Sequence, residues 1–432
     1  MGKKFLIFLA TILIAITCYW TEILAESYQI LSSPDNTLQM KVKIYNGDLI
    51  YSVESDDDTL VETSKMGIQL QDIDNKYTQI VIKNNESGSD NYDFRENSNH
   101  VSDQFEKYTL KASGKKYDLK IEVKIWENGI AFRYILPENI DLSIKEEETR
   151  FTFPKDTIAW YQDDYYAMQG IYQKKLVQDF KGREILAPLP TFELPNNKGY
   201  ISLSEGDLKD FPGIAYKSDK NNTFKAHYWA ESNGFEPLTN KTPWRLFIIS
   251  KNLNGLVNNS IAQNVSEPVR EDLKDTDWIV PGKAVWFHDY DDSGNLNEKE
   301  ARKSFEACQE LGIKYNVIGN NWRKWGDSIE DALEKVKPMI ELAKEYDIGM
   351  FIGHDVPNLD LYPDGDLYNS ENRKHFLKLA KEAGVVGIKF GHIESENIEA
   401  VNIYREIVEE CADMQLLTVF HNANKPTGLS RT

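Results

Sequence analysis

Four of the seven histidines, His288, His354, His392 and His421, stand at or just past the C-terminal end of a short apolar run. Runs of that kind are what strands buried on both faces show. The stretch 387–396, Gly-Ile-Lys-Phe-Gly-His-Ile-Glu-Ser-Glu, has the pattern most sharply. It begins within an apolar run and turns abruptly polar at His392 and Glu394, before a helical pattern starts at Ile398. Imidazoles and carboxylates at the C-terminal tips of parallel strands are the groups an α/β enzyme uses for proton transfer. Each also has an ordinary structural reading: a core or loop histidine, or, for Glu394 and Glu396, a place near a helix N-terminus capped by Ser395. Their common position at one end of a sheet marks a candidate functional face. With Trp286 and Trp322 beside them, that face resembles a sugar-binding cleft more than a metal centre.

One further stretch has the spacing of a calcium loop. In residues 289–300, oxygen donors fall at Asp289, Asp291, Ser293 and Asn297, with Gly294 at the turn and Glu300 at the bidentate position. A strand precedes it where an EF-hand has a helix, so an acidic loop ending in an Asn297 helix cap is the competing reading.

The elements that would position these residues follow from periodicity. From Lys283 onward, apolar runs at 284–287, 315–318, 349–353, 385–390 and 416–420 alternate with amphipathic segments. Asn297 caps one helix that Gly312 stops, and Ser328 begins another. Five strands with four helices between them fit an open doubly wound sheet or part of a (β/α)8 barrel. Residues 28–278 read instead as many short strands punctuated by turns, such as Asn46-Gly47-Asp48, which suggests a large β-sandwich. Asn84–Asn91 reads as a polar loop. Arg133 and Arg245 lie inside apolar strands, where each needs a partner.

A formal net charge of −19 argues against nucleic acid and anionic membranes as partners. Lys3 and Lys4 precede the apolar run 5–16, and Ala25 offers a cleavage point, so residues 1–25 read as a secretory signal peptide. A lipoprotein anchor at Cys18 is the weaker alternative, because Ala15-Ile16-Thr17 matches a lipobox poorly. No other stretch has the ~18 apolar residues of a transmembrane helix. The expected location is therefore secreted or periplasmic. Cys308 and Cys411 fall on apolar helix faces and read as buried thiols.

At several of these motifs the chain resembles glycoside hydrolase family 97, secreted α-glucosidases and α-galactosidases. The resemblance is carried by Gly-Ile-Ala-Phe-Arg-Tyr (129–134), Ser-Glu-Gly-Asp-Leu (204–208) and Thr-Pro-Trp-Arg (242–245). It continues through Pro-Gly-Lys-Ala-Val-Trp (281–286), Gly-Ile-Lys-Phe-Gly (387–391) and His421 through Lys425-Pro-Thr-Gly428 to Arg431-Thr432. It implies a β-super-sandwich over 26–280 and a (β/α)8 catalytic barrel from 281, of which about five units lie within 281–432. It also implies an oligosaccharide substrate and Ca2+, with Glu205 as a metal ligand. Retaining members carry an aspartate nucleophile at the position of Gly391; inverting members resemble this chain and imply Glu394 as general base. Trp286, His354, His392, His421 and Lys425 would line the sugar subsite. Many members have Asp-Glu where Gly319-Asn320 stands. The general acid and most calcium ligands are expected beyond Thr432, so the 432 residues alone are expected to lack turnover. The expected function is an inverting α-glucosidase; the alternative is a non-catalytic carbohydrate-binding homologue.

Overall fold

The computed structural model describes residues 28–94, 99–138, 142–273, 276–286, 297–357 and 365–431. Residues 1–25, which the sequence leads one to expect as a signal peptide, lie outside the described residues, as do His288 and most of the 289–300 loop. Among the described residues no helix is long and apolar enough to cross a membrane.

Two antiparallel sheets form the first unit. One has eight strands, running from Gln29–Ser32 at one edge to Ile185–Leu186 at the other. The second has nine, from Gln173–Leu176 to the long edge strand Tyr77–Phe94. Strand Leu38–Tyr45 shows the cause of the layering, since buried and half-exposed residues alternate along it. Inward side chains meet between the sheets: Tyr51 lies 6.0 Å from Phe132, and Phe153 stacks on Phe192 at 3.8 Å. Arg133 bonds Glu122 on the adjacent strand at 2.7 Å.

The second unit is a five-stranded parallel sheet in chain order: β1 (Ala284–Trp286), β2 (Tyr315–Ile318), β3 (Gly349–Asp355), β4 (Gly387–Gly391) and β5 (Leu417–Phe420). Helices α1 (Glu298–Leu311), α2 (Ile329–Lys344), α3 (Ser370–Glu382) and α4 (Ile398–Asp413) connect them. Asn297 and Ser328 cap α1 and α2 through their side chains, and Gly312 closes α1 in the left-handed conformation. All four helices contribute to one buried cluster together with Ile318, Ile352, Ile388 and Phe390. Helices on a single face build the wall of a barrel, whereas a doubly wound sheet is covered on both. The opposite face leaves Trp286 50% and Val419 43% exposed.

The two units are joined by specific contacts. Asp207 N–H donates to the Thr427 carbonyl at 3.0 Å, and Arg405 pairs with Glu267 at 2.7 Å. Cys308 and Cys411 are buried. Asn84–Asn91 is not a loop: it lies within Tyr77–Phe94 and pairs residue by residue with strand Asn99–Gly114. The backbone ladder holds this hairpin, so its side chains can be polar throughout.

Candidate functional site

Successive residues of a strand face opposite sides of the sheet, and this decides which groups reach the open face. At the end of β3, Asp355 takes that face. Its carboxylate is 4% exposed and accepts from His392 Nδ1 at 2.6 Å and from Asn320 Nδ2 at 2.5 Å. Beyond β4 the chain bends through His392 (φ +60°) and Glu394 (φ +45°). Left-handed backbone at two non-glycine residues so close together costs energy and persists where surroundings over-determine it, commonly at functional sites. The bend sets His392 against Asp355 and turns Glu394 toward the end of β5, where its Oε1 accepts from Asn422 Nδ2 at 2.7 Å. Asn422 in turn accepts from Gln169 Nε2, so a loop of the sandwich reaches the same cluster.

Helix α4 is capped by Asn397, whose side chain accepts from Ala400 N–H, rather than by Ser395. Glu394 is thus three residues before the cap, outside the first turn where a carboxylate serves the helix dipole. His421 is exposed at the end of β5, with its N–H on the Phe390 carbonyl at 2.8 Å. Partial burial, then the nearby Lys389 and His392, hold its imidazole below the usual histidine range. Lys389 reaches along the open face to 4.9 Å from the Trp286 ring; burial depresses its ammonium, partly offset by Asp355. His392, Glu394, His421 and Trp286 therefore share one face of the sheet with Asp355 and Lys389.

Four other expected residues lie elsewhere. His354, next to Asp355, points to the helix side: it is fully buried, 4.4 Å from the Phe376 ring, with Nδ1 near the Asp355 carbonyl. Trp322, expected beside the cleft, is likewise core, donating from Nε1 to the Gly353 carbonyl at 2.7 Å. Lys425 and Glu205 are buried in the junction between the two units. Lys425 Nζ lies 2.7 Å from Glu205 Oε2 and 2.5 Å from Glu396 Oε2. Glu205 also bonds Arg245 and the Ile214 N–H, and Arg245 bonds Glu147. Burial raises the Glu396 carboxyl despite Lys425. Burial acts most strongly on Glu147 too, yet Arg245 holds it below the usual range.

In this arrangement the Glu205 carboxylate is committed to protein cations. Both carboxylate oxygens already face cations, and among the described residues no group of three or more His, Cys, Asp or Glu could hold a metal ion. Asp355, Asn320 and Asn422 on the open face, and Glu396 in the junction, are the unanticipated members. Asp355 and Asn422 had a signal, since each neighbours a strand-end histidine. Glu396 was recognised only as a dipole partner.

Residues 31–268 match the family described as Glycosyl-hydrolase 97 N-terminal, and residues 278–432 match Glycoside hydrolase 97. A protein of Streptomyces bingchenggensis (strain BCW-1) described as a probable retaining alpha-galactosidase is 25% identical over 336 residues, covering 74% of this chain and 49% of that protein. A solved beta-arabinopyranosidase has a TM-score of 0.78 at 21% identity, covering 94% of this chain and 68% of that one. A family 97 enzyme of Pseudoalteromonas sp. strain K8, solved in complex with panose, has a TM-score of 0.75 at 17% identity over the same shares. At these identities the two structures show a common fold. The chain spans about half the length of the curated relatives it matches, 49% and 53%. The sequence matches, which take in both the sandwich and the parallel sheet, go further than fold: the chain belongs to glycoside hydrolase family 97.

Proposed function

We propose that the chain forms the sandwich and part of the (β/α)8 barrel of an enzyme that hydrolyses α-glucosidic bonds in oligosaccharides with inversion, Glu394 acting as general base. The observation that carries this reading is the end of β4. Gly391 offers no nucleophile, while three residues on Glu394 lies off the helix cap, held by Asn422 beside His392 and His421. Inversion uses a base that activates water, with room between two carboxyl groups ~6.5–9.5 Å apart, so a carboxylate set beyond the strand tip suits it. The similar Streptomyces protein is described as retaining; the residue at 391 is what favours inversion here. The panose complex of the Pseudoalteromonas enzyme supports an α-glucoside. The general acid is expected outside these 432 residues.

Glu394→Gln in the full-length protein tests the assignment. Turnover of an α-glucoside should fall by about 10²-fold or more while substrate still binds, and the wild type should release the β-anomer first by NMR. First release of the α-anomer, or near-normal turnover in the variant, would remove Glu394 as base. Substrate binding without turnover in the wild type would instead favour a carbohydrate-binding homologue. Calcium belongs to this proposal at Glu205, where an ion would have to displace the Lys425 ammonium. Export to the periplasm is proposed from residues 1–25 and is testable by cell fractionation.

A further inference from the structure

A cleft of about 440 Å³ lies on the outer face of the nine-stranded sheet, away from the strand ends of the parallel sheet. Its walls come from the sheet, the short helix Ile261–Asn264 and, from the second unit, Arg431. In a chain of formal charge −19 it gathers six cationic side chains against three carboxylates.

Three of those cations are already matched: Lys107 to Glu86 at 3.1 Å, Arg133 to Glu122 at 2.7 Å, and Lys209 to Glu267. Lys124, Lys241 and Arg431 make no salt bridge among the described residues. Lys107 and Lys124 are directly opposite on neighbouring strands, and like charges in that position are destabilising. Phe105 lies 4.3 Å under the Lys124 ammonium and fixes its direction. Arg431 stacks over Tyr92 at 4.0 Å and spends Nη1 on the Gln263 carbonyl at 2.8 Å; the other side of its planar fork remains for a bidentate oxyanion. On the same wall Asp90 Oδ2 is buried, and the Trp126 indole N–H is the protein donor that faces this carboxylate. A carboxylate accepts more than one donor, so a sugar hydroxyl can add a bond to Asp90 that a bare anion cannot supply.

We propose that this cleft binds an oxyanion carried on a saccharide, the anion against Lys124, Lys241 and Arg431 and a hydroxyl group on Asp90. The oxyanion follows from the cleft itself; the saccharide also rests on the family reading above. Burial, with Lys107, Arg431 and Arg133 nearby, holds the Lys124 ammonium below its ordinary range despite Asp90, so a bound anion would favour its charged form.

Calorimetric titration with trigalacturonate, maltotriose and inorganic sulfate tests the proposal. Trigalacturonate should bind, with affinity falling as salt screens the charges, and sulfate should compete. Maltotriose should not displace it. Lys124→Met with Lys241→Met should weaken trigalacturonate by about tenfold or more, the scale of a lost charge-assisted bond, with no fall in melting temperature. The Glu394→Gln protein should bind as wild type does. Unchanged affinity in the lysine variant, no binding at millimolar trigalacturonate, or binding lost in Glu394→Gln would each overturn the site. Lysine-dependent sulfate binding no weaker than trigalacturonate would overturn the saccharide alone and leave the family reading untouched.

Discussion

At Gly391 the missing side chain makes room for a neighbour as well as removing a nucleophile. A Cβ built there would lie 2.9 Å from Asp355 Oδ1, the oxygen that already accepts from His392 and Asn320. The φ angle of Gly391 is not positive, so alanine there is a steric probe without backbone strain. Gly391→Ala should push the Asp355 carboxylate aside, loosen His392 and lower kcat by about 10²-fold, the scale of a misplacement near 1 Å, with little change in melting temperature. An unchanged kcat would show that Asp355 has no part in turnover. The sequence made this corner half visible. Histidine and aspartate were adjacent at the end of β3, and only one of two consecutive strand residues can face the cleft. Choosing between them needed the aromatic packing of Trp322 and Phe376, which claims His354 for the helix side.

Among the elements, those with strong punctuation were legible. Helices α1 and α2 begin at the caps that Asn297 and Ser328 announce, because a side-chain acceptor three residues before a free N–H is a local event. The hairpin of Tyr77–Phe94 and Asn99–Gly114 was not legible through Asn84–Asn91, since pairing through the backbone leaves no apolar alternation in the sequence. Charge on strands gives a testable consequence elsewhere in the sandwich. Strand Thr223–His227 pairs Lys225 with Lys217 on its neighbour, and His227 follows two residues later. Burial first, then those two lysines, press His227 down to about 4 from an ordinary 6.5. The folded state therefore binds fewer protons than the unfolded chain between those values. Stability from this group is fully present above about pH 6.5 and is lost as pH falls toward about 4. Denaturant unfolding of His227→Gln should show a shallower loss than wild type across that window; parallel pH profiles would mean that His227 titrates normally.

At the scale of the whole molecule, Lys425 ties the sandwich to the parallel sheet. Glu147, Glu205 and Glu396 share two buried cations, Arg245 and Lys425, leaving one negative charge in excess. Burial raises Glu396, and a proton there would relieve that excess. Gly213 lies so close to Glu396 and Lys425 that no Cβ fits between them, and its N–H donates to the Glu396 carbonyl at 2.9 Å. The two units are therefore held together at the point where the charges meet. A buried pair is weak evidence of net stability, but removing one partner strands the other. Lys425→Met should thus lose about 3–5 kcal/mol in urea unfolding, and adding Glu396→Gln should recover much of it by removing one stranded charge. The same variant probes the calcium proposal, because the ammonium no longer lies between Glu205 and Glu396. Millimolar calcium should then stabilise Lys425→Met more than wild type, and Glu205→Gln should abolish the difference. A loss below about 1 kcal/mol for Lys425→Met, within the range of an exposed ion pair, would mean that Arg245 alone secures Glu205 and that the joint between the units rests on its other contacts.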